Sequence, residues 1–166
     1  MFCLLVLSVA CSTSRPSVKP DVISLLKMYN PTSTKLHPAY TIFHNQPASS
    51  LLLVKIFPTE LLYSGTIEPD KLLGLVNLSY VMTDLTDVQK PVIADSGVVT
   101  FRFLRENADK RFTTQIPIKA EAGKKYQLAV TARDMVRNEP VLTYLYIDKT
   151  SPISEQNFLV SSAEDR

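Results

Sequence analysis

From Ala39 onward the chain alternates apolar and polar residues. Tyr126, Leu128, Val130 and Ala132 alternate with Gln127, Ala129, Thr131 and Arg133. Phe112, Thr114, Ile116 and Ile118 alternate with Arg111, Thr113, Gln115 and Pro117. Val99, Phe101 and Phe103 enclose Thr100 and Arg102, and Val76, Leu78, Tyr80 and Met82 enclose Asn77, Ser79 and Val81. A period of two predicts half-buried antiparallel strands, each with one face in the core. Ser50–Phe57 is apolar on both faces, which predicts a central or doubly covered strand, and Val141–Asp148 closes the series. Between these runs lie Ala94–Gly97, Arg105–Lys110, Glu121–Lys124 and Arg137–Pro140, all rich in turn formers. Strands every 10 to 15 residues with turn signals between them predict an all-β sandwich, and a closed barrel is the competitor on the same spacing.

Two local features refine the fold class. Gly123-Lys124-Lys125-Tyr126 runs straight into an alternating strand, so Tyr126 is placed like the tyrosine of an immunoglobulin-type corner. Its hydroxyl is then expected to bond backbone just upstream. The plainer alternative is an ordinary buried strand tyrosine. Asp21–Tyr29 carries Val22, Leu25, Leu26 and Tyr29 at helical spacing, with Asn30-Pro31 to stop it. The expected fold is therefore an all-β, immunoglobulin-like antiparallel β-sandwich with a short N-terminal helix, spanning residues 21–150.

Composition narrows the function classes. Among 166 residues, 45% are hydrophobic, enough for a core. Eighteen basic against 16 acidic residues leave a net charge of +2, so bulk charge selects neither nucleic acid nor anionic lipid. Two cysteines, two histidines and no tryptophan argue against zinc ribbons and disulfide frameworks. Four glycines disfavour a Gly-rich phosphate loop.

Candidate chemistry is sparse. His37 and His44 are seven apart, which in a strand places them on opposite faces, and neither a His-x₃-His nor a His-Glu-x₂-His pattern occurs. They read as a turn histidine before Pro38 and a half-exposed strand histidine. No Gly-x-Ser-x-Gly is present around Ser64 or Ser96. The carboxylate pairs Asp84/Asp87 and Glu106/Asp109 read as solvated turn acids, and Asp84, Asp87 and Asp95 lack the run of a calcium loop. Asn77-Leu78-Ser79 is a formal glycosylation sequon placed mid-strand. No catalytic residue, cofactor or metal is expected.

The cysteines sit at the N-terminus. Met1–Ala10 is uncharged and almost wholly apolar, too short to span a bilayer, which needs about 20 residues. It has the size of a signal-peptide apolar region. Ser8-Val9-Ala10-Cys11 resembles a bacterial lipobox, in which Cys11 becomes the lipid attachment site after cleavage before it. Ser8 stands where that motif usually has Leu, and no basic residues precede the apolar run. The expected organisation is a signal peptide over residues 1–10 and a lipidated tether over 11–20. The Ser/Pro-rich tether would reach roughly 30 Å when extended. Two or three acyl chains, at roughly 0.8 kcal/mol per buried methylene, would hold such a protein firmly to a membrane. The sequence after residue 150 begins as a linker, and Asn157–Val160 reads as the start of another strand. Residues 151–166 are therefore expected to be a linker or the start of a missing C-terminal domain.

Met28–Leu62 is similar to one known family. Tyr29-Asn30-Pro31, Leu36-His37-Pro38, Phe43-His44-Asn45, Lys55-Ile56-Phe57 and Glu60-Leu61-Leu62 resemble the N-terminal β-domain of the GWxTD-domain lipoproteins of Bacteroidetes. The resemblance implies a β-sandwich and a bacterial cell-envelope address, on the outer membrane or the periplasmic side. The Gly-Trp-x-Thr-Asp domain itself is absent, since the chain has no Trp. The expected function is a non-catalytic, lipid-anchored envelope module for binding or scaffolding. Its expected partners are the membrane, through the anchor, and another protein or its own missing C-terminal domain. The alternatives are an accessory β-domain of a larger envelope enzyme whose catalytic part is missing, and a barrel-like carrier of small ligands.

Overall fold

The computed structural model describes residues 35–68, 71–87 and 89–159. These hold eight strands: β1 Ala39–Gln46, β2 Ser49–Ile56, β3 Ser64–Glu68, β4 Lys71–Asp84, β5 Val92–Leu104, β6 Phe112–Lys119, β7 Lys125–Asp134 and β8 Pro140–Asp148. Among the described residues there is no α-helix, only 3₁₀ turns at Pro58–Glu60, Arg105–Asn107 and Glu155–Asn157. The expected helix at Asp21–Tyr29, the signal segment and Cys11 lie outside the described residues.

The strands form two antiparallel sheets, arranged as a sandwich. One is three-stranded in the order β1-β2-β6, with β2 central as its apolar sequence predicts. The other is five-stranded and built on β4, the longest strand. β5 pairs along one edge of β4 from Leu73 to Asp84. The opposite edge takes β7 from Val76 to Asp84 and β3 at Leu73 and Lys71, so β3 and β7 lie end to end. β8 pairs with β7 without interruption and forms the far edge. The barrel alternative is not adopted, because the ladders belong to two separate sheets.

The alternation read from the sequence sets the inward faces. Leu52, Val54, Val76, Leu78, Met82, Leu128, Val130, Ala132 and Ile147 are all fully buried between the sheets. Each large aliphatic side chain removed from water here contributes roughly 1.5–3 kcal/mol. Phe103 and Phe101 pack on Phe112 at 5.0 and 5.2 Å between ring centroids. This aromatic group fastens the corner where β5 crosses to β6 through Arg105–Asn107. Leu51 and Leu53, on the second face of β2, and Phe57, just past its end, are half-buried.

Two expectations need correction, and one strand was not foreseen. Ala94–Gly97 is not a turn before a strand but lies inside β5. Its turn-forming residues serve a bulge: Met82 faces Asp95 and Thr83 faces Ile93, which leaves Ala94 as the extra residue. Gly97 is needed because the Tyr80 ring lies across it; a Cβ there would sit 2.6 Å from Tyr80 Cε1. Asn157 does not start a strand, since Glu155–Asn157 is a 3₁₀ turn and residues 158 and 159 are irregular. β3 was not anticipated at all; its five residues are too few to show a period clearly.

Candidate functional site

The polar chemistry gathers at the two ends of the sandwich. At one end β1, the β1–β2 turn and the segment after β8 enclose an open cleft of ≈ 430 Å³. His44, Gln46, Lys149, Ser151 and Asn157 are among its lining residues. His44 Nε2 lies 3.1 Å from the Asp148 carbonyl and Nδ1 lies 2.9 Å from Ser50 Oγ. A carbonyl only accepts, so Nε2 carries the proton and Nδ1 accepts from the serine hydroxyl. This fixes one neutral tautomer. Burial lowers the His44 pKa, with the neighbouring Lys149 charge acting in the same direction and the bond to Asp148 opposing.

A serine bonded to a histidine has the outline of a nucleophile and its base. Ser50, however, is fully buried, so no substrate reaches its oxygen. The pair instead ties β1 and β2 to the end of β8. Lys149 does the same more broadly. Its ammonium donates to the carbonyls of Gln46 at 2.6 Å, Ser49 at 2.8 Å and Ala120 at 2.8 Å. Three N–H donors meet three acceptors, and desolvation lowers the lysine pKa. The chemistry of this cleft is a clasp between sheets.

The opposite end is organised by Asp134, a fully buried carboxylate. It accepts from the backbone N–H groups of Leu62 at 2.9 Å, Val136 at 2.9 Å and Arg137 at 3.2 Å. Arg137 Nη2 donates to the Glu60 carbonyl at 2.9 Å, and the Glu60 side chain holds the His37 N–H at 2.8 Å and its Nδ1 at 3.1 Å. The loop before β3, the turn after β7 and the entry to β1 are thereby joined. Asn138 has a φ of 58° in that turn, a conformation asparagine tolerates better than most residues.

The two histidines are thus at opposite ends of the sandwich and do not cooperate. Nor do the acidic candidates converge. Asp84 caps Thr86 and pairs with Lys124 at 3.2 Å, and those contacts, the Thr86 bonds first, lower its pKa. Asp87 accepts from the Gln89 N–H, and Asp95 from the N–H groups of Ser96 and Lys119. Glu106 and Asp109 are exposed at the β5–β6 corner. Among the described residues no group of three His, Cys, Asp or Glu is placed to hold a metal ion. Asn77 of the sequon lies on the outer face of β4 and bonds Thr100 Oγ1 at 3.2 Å.

Tyr126 behaves as its position predicted. Its ring is buried and its hydroxyl accepts the Glu121 N–H at 2.9 Å. Lys149 and Asp134 were missed, yet both continue an inward alternation. Asp134 follows Val130 and Ala132 by steps of two, and Lys149 follows Leu145 and Ile147. A charge at an inward position is the signal that would have found them. The outer face of the larger sheet was also missed. There Val98, Val81, Leu142, Tyr144 and Tyr146 are exposed among Ser79, Ala129 and Thr131.

No model of a known protein family matches the chain. No curated protein matches it either.

Proposed function

We propose that this chain is a non-catalytic, lipid-anchored module of a bacterial cell envelope, which binds or scaffolds a protein partner through an immunoglobulin-like sandwich. It is proposed to be the N-terminal β-domain of a GWxTD-type lipoprotein. The observation that carries the reading is the apolar Met1–Ala10 segment ending in Ser8-Val9-Ala10-Cys11, followed by a Ser/Pro-rich tether. The sandwich supports it. His44, Asp134 and Lys149, buried or partly buried, are engaged with backbone, which suits a rigid display surface. The Tyr126–Glu121 bond supports the immunoglobulin-like assignment.

Mass spectrometry of the N-terminal peptide from a bacterial host tests the anchor. The expected product starts at Cys11 and carries the mass of a diacylglyceryl group and its acyl chains. Cys11→Ser should move the protein from the membrane fraction to the soluble fraction. A chain that still begins at Met1 with an unmodified Cys11 overturns the reading.

A further inference from the structure

The backbone of β8 is complementary to a second copy of itself. Lys149 N donates to the Lys124 carbonyl and Gly123 N to the Lys149 carbonyl, so odd positions of this segment face β7. Even positions therefore aim their N–H and C=O away from the sheet. At the C-terminal end these groups already have partners. The Asp148 carbonyl receives His44 Nε2, the Asp148 N–H donates to Gln156 Oε1 at 3.2 Å, and the Tyr146 carbonyl receives Gln156 Nε2 at 2.6 Å. The Gln156 amide stands where a neighbouring strand would stand. At the N-terminal end Pro140 has no N–H to offer. The outward groups without a partner among the described residues are the N–H and C=O of Leu142 and Tyr144, the N–H of Tyr146 and the C=O of Pro140.

We infer that β8 pairs antiparallel with β8 of a second copy about a two-fold axis at Thr143. In that register Leu142 exchanges both hydrogen bonds with Tyr144 of the other copy, and the Tyr146 N–H donates to the opposite Pro140 carbonyl. The Tyr146 carbonyl then faces the one residue without a donor, and Gln156 already satisfies it. Every outward group from Pro140 to Asp148 is used. Gln156 also stops the strands from sliding further, because its amide fills the next slot. On the outer face Leu142 meets Tyr144 and Tyr146 meets Pro140, all without charge. The two larger sheets become one continuous sheet.

The β1, β5 and β6 edges are guarded against such pairing, and the middle of β8 is not. β6 carries Pro117 in mid-strand and Lys119 at its end. β5 is bulged at Ala94, and β1 is irregular between Phe43 and Gln46. β8 runs from Val141 to Ile147 with no charge, no proline and an unbroken register on β7.

The test is sedimentation equilibrium of the full chain carrying Cys11→Ser, so that lipid takes no part. It reads self-association alone, whereas the anchor is read from the mass of the N-terminal peptide, so either idea can fail without the other. The parent chain should show a concentration-dependent dimer. Leu142 and Tyr144 are 53% and 61% exposed, so both accept charge without unfolding the core. Leu142→Lys/Tyr144→Lys sets like charges directly opposite one another and should weaken association by more than about tenfold. Leu142→Glu/Tyr144→Glu should do the same, and mixing the two double variants should restore the dimer. Val98→Lys, on the same face but at β5, should leave it intact. A parent chain that stays monomeric at the highest attainable concentration overturns the proposal. So does an open-ended oligomer, or a dimer that persists in the double-lysine variant.

Discussion

The Tyr126 hydroxyl accepts the backbone N–H of Glu121 at 2.9 Å, across the turn that feeds β7. The ring is anchored in the core, so this bond holds the turn against the sandwich. Tyr126→Phe removes the acceptor and keeps the ring. It should cost about 1 kcal/mol of unfolding free energy, seen as a lower urea midpoint at unchanged slope. An unchanged midpoint would mean that water replaces the bond without loss.

Tyr40 has the opposite arrangement. Its hydroxyl is buried with no hydrogen-bond partner among the described residues, and desolvation pushes its pKa up to about 12. A buried polar atom without a partner carries a desolvation penalty of roughly 1–3 kcal/mol. Tyr40→Phe should therefore leave stability unchanged or raise it by up to about 1 kcal/mol. Thermal and urea unfolding of Tyr40→Phe beside Tyr126→Phe check the sign, since the same chemical change is expected to act in opposite directions.

His44 makes stability depend on pH. Its pKa is lowered in the fold from a usual 6.5, chiefly by burial, so the unfolded chain binds the proton more readily. The stabilisation is complete above pH 6.5 and is lost as pH falls from there toward the folded-state pKa. Protonation also forces Nδ1 to donate, which breaks its acceptance from Ser50 Oγ. Urea midpoints measured between pH 8 and pH 5 should fall with acidification. His44→Gln should flatten that part of the profile. An equally steep fall in the variant would assign the slope to another group.

Gly97 tolerates no side chain. A Cβ would lie 2.6 Å from Tyr80 Cε1 and 2.9 Å from its hydroxyl oxygen. Gly97→Ala must push the tyrosine aside and disturb its 3.4 Å contact with Asp95, whose carboxylate also holds the Lys119 N–H of the other sheet. The expected cost is about 1–3 kcal/mol, read as a lowered thermal midpoint. Tyr80→Leu combined with Gly97→Ala should recover part of it, because the obstructing ring is gone.

The strands were legible where one face is apolar and the other polar. Val76–Met82 and Tyr126–Ala132 show that period, and their inward residues are the buried ones. β5 was only half legible. Ala94, Asp95, Ser96 and Gly97 have the composition of a turn, but a bulge and a ring lying on glycine use the same residue types. The inward charges of the end clasps were readable, but their partners were not. Lys149 reaches Gln46 across 103 positions, and Asp134 reaches Leu62 across 72. No local spacing encodes such partners; only the strand order brings them together. Tyr126 was legible because its partner is five residues away.

The Lys149 clasp has a consequence for how the chain is made. The carbonyls of Gln46 and Ser49 belong to the first hairpin, and their ammonium partner comes just after the last strand. A nascent chain emerges from its N-terminus, so the first hairpin waits for residue 149 before that end can lock. Contacts of such long range favour slow folding. A ribosome stalled before Lys149 would hold a chain in which the Gln46 and Ser49 carbonyls still lack their ammonium partner.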